Sequence, residues 1–456
     1  MRPFDRSSER SQTRLVCAPA RRADVLVRGV HVLDPRTAID GLHDVLVRDG
    51  EIAEIGAAGS LSAPAGAETI DGAGRHLFPA FVDPHVHLRT PGQEHKEDLE
   101  TGTRAAAAGG FCAVVAMPNT SPVVDSAPIL GALLDAAARE ARVPVGFSAC
   151  ITRGMQGDEL TEMAELRALG AACFTDDGRP VASAGVLRRA LQYQRMCGGV
   201  LALHEEDPSL SGDGAMHEGT VSALLGVAGI PSISESTMIA RDCALAEYEG
   251  GRLHMQHLSA RESVEAIAAA KARGVAVTCE ASPHHLTMID EDVRDLDPRK
   301  KMNPPLRAPA DRDALIEGLR SGVIDCIATD HAPHARDEKE VPFEQAPMGS
   351  TGLETAFSAV YTDLVVPGTL ALPLVVEKLT AGLGLIDLLV PRIAIGEQAN
   401  LVLVDLDAEW VVGESGYESR SENCAFAGRT LRGRVLLTVA AGAVAYRERS
   451  IMLSAA

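Results

Sequence analysis

The chain has 456 residues, 46% of them hydrophobic, which is long enough for a large core and suggests two or three domains or one big barrel with an appendage. Asp and Glu number 63 against 43 Lys and Arg, a formal net charge of -20. That balance argues against nucleic acid or an anionic membrane as partner, yet leaves room for an anionic small molecule held by one pocket arginine. The nine cysteines include no Cys-x-x-Cys pair, and several, such as Cys112, Cys150 and Cys279, fall in apolar runs, the usage of reduced buried thiols in a cytoplasmic protein.

Residues 1–22 are rich in Arg and Ser and lack an apolar stretch, so they read as a flexible tail and not as a signal peptide or anchor. Residues 23–77 then alternate apolar and polar positions in VLVRGVHVL and HDVLVRDGEIAEIG, with Asp49-Gly50 as a turn between strands. The alternation returns in NLVLVDLDAEWVV and GRVLLTVAAGAVAYRER, so segments 23–77 and 391–456 are expected to meet as one small β-sandwich domain. Between them, residues 78–390 carry eight short apolar runs: HLFPAFVDPHVHL, FCAVVAMPN, VPVGFSACI, AACFTDD, GVLALHEED, RLHMQHLS, VAVTCEAS and VIDCIATDH. Helical patterns such as ETGTRAAAAGG and SARESVEAIAAAKARG separate most of them. This organisation predicts the α/β class and a TIM-like (β/α)8 barrel, with its active site at the C-terminal ends of the strands.

The residues at those strand ends are of one chemical kind. The first run closes on Asp83-Pro84-His85-Val86-His87-Leu88-Arg89, and side chains at i and i+2 of a strand share a face, so His85 and His87 can converge. The fourth run ends in Asp176 and Asp177, the fifth in His204, the sixth in His257, and the eighth in Asp330, followed by His331 and His334. Any one of these could be an ordinary buried, hydrogen-bonded group. It is the agreement of five strand ends that points to metal. Histidine and carboxylate without thiolate suit zinc or another first-row divalent ion. Four histidines and two aspartates exceed what one tetrahedral zinc with an open position needs, and suit two ions sharing a carboxylate and a hydroxide. The chemistry expected is hydrolysis of an unreactive carbonyl. Only one of Asp176 and Asp177 can face the ions, because neighbours on an extended strand point opposite ways.

The motifs DPHVHLRTPGQEHKEDLETGTRAAAAGGF, MPNTSPVVD, FTDDGRPV, HEGTVSALLGVAGIP, HLSA, SPHHL, KMNPPLR, ATDHAPH and GLETA, in this order, resemble the class I bacterial dihydroorotases of the amidohydrolase superfamily. The resemblance runs from about residue 24 to the end. It implies two zinc ions per subunit, His85 and His87 on the first, His204 and His257 on the second, with Asp177 and a hydroxide as bridges. Asp330 would contact the first zinc and act as general base. Arg89, Asn119 and His334 would grip the substrate carboxylate, while His87, Asn303 and the backbone of Met348 and Gly349 line the ring. A guanidinium two residues beyond His87 suits such a grip, since it can hold a carboxylate through two parallel hydrogen bonds. Thr90 and Met348 depart from the common pattern, which has an acidic residue and Phe there.

The activity implied is reversible, zinc-dependent hydrolysis of (S)-dihydroorotate to N-carbamoyl-L-aspartate in pyrimidine synthesis. The partners implied are that small molecule and further copies of the chain in a homo-oligomer, with an aspartate carbamoyltransferase complex also open. One rival reading is a hydantoinase or allantoinase, relatives that bridge their metals with a carboxylated lysine; AACFTDD holds no lysine. Another is a non-catalytic subunit of a carbamoyltransferase complex, which typically lacks metal ligands. The charged, Pro-containing segment from Pro333 to Gly352 suits a lid.

Overall fold

The alternating start of the chain becomes β1 (Val25–Asp34), β2 (Ile39–Arg48) and β3 (Glu51–Ala57) in the computed structural model, which describes residues 12–448. Asp49 and Gly50 take φ of 49° and 77°, the pair of positive values that a two-residue hairpin needs to match strand twist. β4 (Glu68–Asp71) and β5 (His76–Pro79) then pair in parallel with β1.

The apolar run expected as the first barrel strand is divided. His76–Pro79 belongs to the sheet of the chain ends, and only β6 (Phe81–Val86) enters the barrel. The switch falls at Ala80, whose N–H bonds Asn400 O at 3.0 Å while that of Phe81 bonds Gly110 O at 2.9 Å. Both halves are buried, so no change in hydrophobicity marks the boundary.

β7 (Phe111–Ala116) and β8 (Val145–Phe147) follow β6 in parallel. β9 (Leu201–Leu203) is next; β10 (Met216–His217) and β11 (Gly229–Ile230) form a separate ribbon. β12 (Arg252–Met255), β13 (Ala276–Ala281) and β14 (Cys326–Ile327) pair in parallel in the order β9-β12-β13-β14. The predicted fourth strand, AACFTDD, supplies only Phe174, which bridges in parallel to Ala149 on one side and Leu201 on the other. A parallel bridge from Val86 to His331 joins the last strand to the first. These contacts close a ring of eight parallel strand segments. Helices clothe it where the sequence pattern placed them, including Leu99–Ala108 and Arg261–Ala272. Asp98 starts the first of these: its Oδ1 accepts the Thr101 N–H at 2.8 Å and Thr101 Oγ1 accepts the Asp98 N–H at 3.3 Å.

β15 (Leu401–Val411), β16 (Thr430–Ala440) and β17 (Ala443–Arg447) return the chain to β5, so both ends share one mixed sheet in the order β17-β16-β15-β5-β1-β2-β3, with β4 beside β1. Val27, Val45 and Ile70 from one wing and Leu403, Leu437 and Val439 from the other belong to a common core separate from that of the barrel. Aromatic rings join the two units: Phe78 of β5 packs against Phe357 with centroids 5.8 Å apart, and Phe357 in turn stacks on Phe81 of the barrel at 5.3 Å.

The flexible tail expected over residues 1–22 is not what Thr13–Arg22 forms. Val16 pairs antiparallel with Val145, Ala18 N–H bonds Ala141 O at 2.9 Å, Arg14 N–H bonds Gly170 O at 3.1 Å, and Arg22 bridges to Ala443. These bonds are made by backbone groups, to β8, to two helix ends and to β17, so side-chain composition does not announce them. Residues 1–11 of that segment, and 449–456 of the C-terminal one, lie outside the described residues. Among the described residues, no helix is long and apolar enough to cross a membrane.

Phe81 is fully buried at the junction of barrel and sheet. Phe81→Ala is expected to cost about 3–5 kcal/mol of stability, read as a lower urea midpoint; an unchanged midpoint would contradict this packing.

Candidate active site

Asp177 stands at the centre of the barrel mouth. Its Oδ1 is 3.4 Å from His85 Nε2, 3.7 Å from His257 Nε2 and 3.9 Å from His204 Nδ1, and its Oδ2 is 3.5 Å from His87 Nε2. Asp330 Oδ1 lies 3.4 Å from His85 Nε2 and 3.0 Å from His87 Nε2, while His204 Nδ1 and His257 Nε2 face each other at 2.9 Å. All six side chains are buried. Asp176 turns the other way, as alternation requires: its Oδ1 accepts the N–H groups of Ile151 and Thr152 at 2.8 and 3.1 Å, and burial pushes its carboxyl up to about 6.

This donor set fits a divalent cation. Ligands about 2.0–2.1 Å from a tetrahedral ion stand roughly 3.3 Å apart. The separations of 3.0, 3.4, 3.4 and 3.5 Å among His85, His87, Asp177 and Asp330 have that size. Two triads, His85–His87–Asp330 and His85–Asp177–His257, meet the spacing for a metal ion, and the buried His85 Nε2 has no hydrogen-bond partner among the described residues. Burial would raise the carboxyls of Asp177 and Asp330, but the neighbouring imidazoles, His85 foremost, hold both well below the ordinary carboxylate range.

The orientation of three of the four rings is set by a partner on the far nitrogen. His85 Nδ1 donates to Glu280 Oε1 at 2.6 Å, His87 Nδ1 to Asn119 Oδ1 at 2.9 Å, and His204 Nε2 faces Glu206 Oε2 at 3.4 Å. Since an ionised carboxylate only accepts, Glu280 fixes the His85 tautomer with its Nε2 lone pair toward the site. Burial would raise the Glu280 carboxyl, but His85 and His254 hold it down to about 2. Its second oxygen takes His254 Nε2 at 3.0 Å, and Oε1 also accepts the His257 N–H at 3.2 Å. Glu280 is a site residue that the sequence reading passed over, although a carboxylate inside the apolar run VAVTCEAS was a signal. Asp83 does similar work on the backbone, accepting the N–H of His85 at 3.0 Å and of Thr329 at 3.2 Å; burial pushes it up to about 7.

Beyond the strand ends, alternation no longer governs. Arg89, His257 and Asp330 have φ of 59°, 31° and 48°, the left-handed region that non-glycine residues rarely adopt outside functional sites. Arg89 is brought to the rim by this turn and not by sharing a strand face with His87, since β6 ends at Val86. Its Nε donates to Pro333 O at 3.1 Å, and burial pushes it down to about 10.

The other expected substrate contacts are placed on the same side, but several are engaged within the protein. The Asn119 amide spans His87 and Asp177 Oδ2, the latter at 3.2 Å. Asn303 Nδ2 donates to Glu206 Oε2 at 2.5 Å. His334 Nε2 donates to Met348 O at 2.8 Å; burial and the nearby Arg89 push this ring down to about 3. Gly349 N–H bonds Lys301 O at 2.8 Å, and Met348 O accepts from His334, so this backbone is tied to the loops on either side of it. At φ 131°, a Cβ on Gly349 would come within 2.7 Å of Ala332 Cβ. Asn423, in the loop between β15 and β16, accepts the His334 N–H at 3.0 Å and donates to Ala332 O and Gly349 O at 3.0 and 3.1 Å. Nothing in the sequence pointed to Asn423.

A closed α/β barrel with this rim is the architecture of the amidohydrolases, and a model of the Amidohydrolase family matches residues 239–445. A second model, Dihydro-orotase-like, matches residues 74–263. The curated Dihydroorotase of Anaeromyxobacter sp. (strain K) is 47% identical over 433 residues, covering 93% of this chain and 99% of that protein. That of Pelotomaculum thermopropionicum is 44% identical, covering 94% and 99%. The chain belongs to the dihydroorotase family. Among solved structures, the L-hydantoinase (dihydropyrimidinase) from Arthrobacter aurescens matches with a TM-score of 0.83 at 26% identity, over 94% of this chain and 98% of that one. The dihydropyrimidinase from Brevibacillus agri NCHU1002 shares the fold, with a TM-score of 0.81 at 21% identity over 94% and 96% of the two chains.

Glu280→Gln preserves the shape of that side chain while offering His85 Nδ1 an amide. The variant is expected to bind divalent metal about 10–100-fold more weakly in chelator competition, and an unchanged affinity would remove Glu280 from this role.

Proposed function

We propose that the protein is a dihydroorotase, catalysing reversible hydrolysis of (S)-dihydroorotate to N-carbamoyl-L-aspartate with two zinc ions bound. The observation that carries the reading is Asp177, whose two oxygens reach both histidine pairs in a chain 47% identical to a protein named Dihydroorotase. His85, His87 and Asp330 would hold one ion, His204 and His257 the other, and Asp177 both. When bound, the ions would acidify a shared water and polarise the amide carbonyl of the ring.

The rest falls to the protein. Asp330, ionised at neutral pH because its carboxyl is held low, is in the form a base needs; it takes the proton of the attacking water and passes it to the departing ring nitrogen. Arg89, a buried guanidinium beside Asp330 and Asp177, binds the substrate carboxylate through paired hydrogen bonds and so orients the ring amide over that base. Asn119 holds the His87 ring and stands ready to exchange its bond to Asp177 for one to the substrate. The nine free cysteines support a reducing, cytoplasmic setting for this activity.

The purified protein is expected to consume dihydroorotate, followed by its ultraviolet absorbance, and to lose that activity on chelation. Turnover of hydantoin with none of dihydroorotate would replace the reading with that of a hydantoinase, the activity named for the structural neighbour. Metal counting separates the proposed bridge from the proposed base. Asp177→Ala is expected to lose both metal and activity, whereas Asp330→Ala keeps at least the second ion; equal loss in both would contradict the assignment.

A further inference from the structure

Lys339 is a buried lysine whose ammonium meets no carboxylate within ion-pair distance among the described residues. It donates instead to three backbone carbonyls: Pro347 O at 2.7 Å, Pro298 O at 2.9 Å and Lys301 O at 3.5 Å. Taking an ammonium out of water is costly, and an apolar side chain of that length would avoid the cost; three carbonyl dipoles matched to its three N–H groups are what offsets it. Burial nevertheless pushes this group down to about 7, with Lys301 acting in the same direction.

The carbonyls come from two separate segments. Pro298–Lys300 is a single 3-10 turn leading to Asn303, whose amide reaches Glu206 and His204. Pro347 precedes Met348 and Gly349, and the Gly349 N–H closes onto the same Lys301 carbonyl that Lys339 approaches. Lys339 itself ends the short helix Arg336–Lys339, which begins two residues after His334. One ammonium therefore ties together the three loops that carry Asn303, His334 and the Met348-Gly349 backbone. None of its contacts involves the strand ends that hold His85, His87, Asp177, His204 and His257.

We propose that Lys339 is a positioning residue of the substrate pocket: its ammonium cross-links the turn before Asn303 to the Met348-Gly349 segment, so that substrate affinity depends on it while metal binding does not. The identity of the substrate rests on the dihydroorotase reading; the cross-link does not. The Lys339→Met variant of the full, metal-loaded chain tests both. It is expected to carry as much metal as the parent, to raise KM for dihydroorotate about tenfold or more with kcat within about threefold, and to speed exchange of the Gly349 amide about tenfold. The smaller Lys339→Ala variant should regain much of its affinity when n-propylamine supplies an ammonium to the vacated space.

A metal-replete Lys339→Met with parental KM and parental Gly349 exchange would overturn the proposal. So would two variants that fail to fold with or without the amine, since Lys339 would then serve stability alone. If the parent leaves dihydroorotate untouched, the dihydroorotase reading fails while the exchange measurement still decides the cross-link: faster Gly349 exchange upholds it and unchanged exchange rejects it.

Discussion

The constraint on which the rest of the site depends is the burial of the Asp177 carboxylate at the mouth of a closed barrel. A charge removed from water costs several kcal/mol unless groups around it compensate. Here the compensating groups are four imidazoles delivered by three other strand ends, at 3.4–3.9 Å from the two oxygens. No local stretch of chain could gather them. Only a ring of parallel strands, closed by the bridges at Phe174 and between Val86 and His331, brings residues 85, 177, 204, 257 and 330 to one point. An imidazole that offers a lone pair inward must also be told which nitrogen carries its proton. That explains why Glu280, Asn119 and Glu206 stand behind His85, His87 and His204.

The two sides of the site are built differently. The side proposed to hold metal sits on strand ends and is fixed by buried side-chain hydrogen bonds. The side proposed to meet substrate is assembled from loops, and loops need ties. Asn423 reaches in from the end sheet to join His334, Ala332 and Gly349, and Lys339 joins the turn at Pro298 to the segment at Pro347. The composite domain made by the two chain ends thus does more than finish the fold, since one of its loops helps shape the pocket. The segment from Pro333 to Gly352, whose charge and prolines suit a lid, is held here by these same bonds.

Side-chain type and period made much of this legible in the sequence. The shared face of His85 and His87 and the opposite facing of Asp176 and Asp177 follow from strand alternation, the single histidines were marked by ending the fifth and sixth runs, and the choice of Asp177 came from the family resemblance; the structure brings those residues together. Asp49-Gly50 announced its hairpin because both residues tolerate positive φ. What could not be read was decided by backbone or by distance. The run from His76 to Leu88 changes sheets at Ala80 without changing hydrophobicity, the edge pairing of Val16 uses N–H and C=O groups common to every residue, and Arg89 reaches the rim through a left-handed turn. Asn423 lies far along the chain from every residue it positions. Glu280 is the intermediate case, since a carboxylate in a fully buried strand has to be answered by a partner even when the partner cannot be named from sequence.

The most direct measurement is anomalous diffraction at the zinc edge from crystals of the metal-loaded protein. The account predicts two peaks about 3.5–4 Å apart, one against His85 and His87 and one against His204 and His257, with Asp177 between them. A single peak, or peaks that leave Asp177 without a cation, would contradict it.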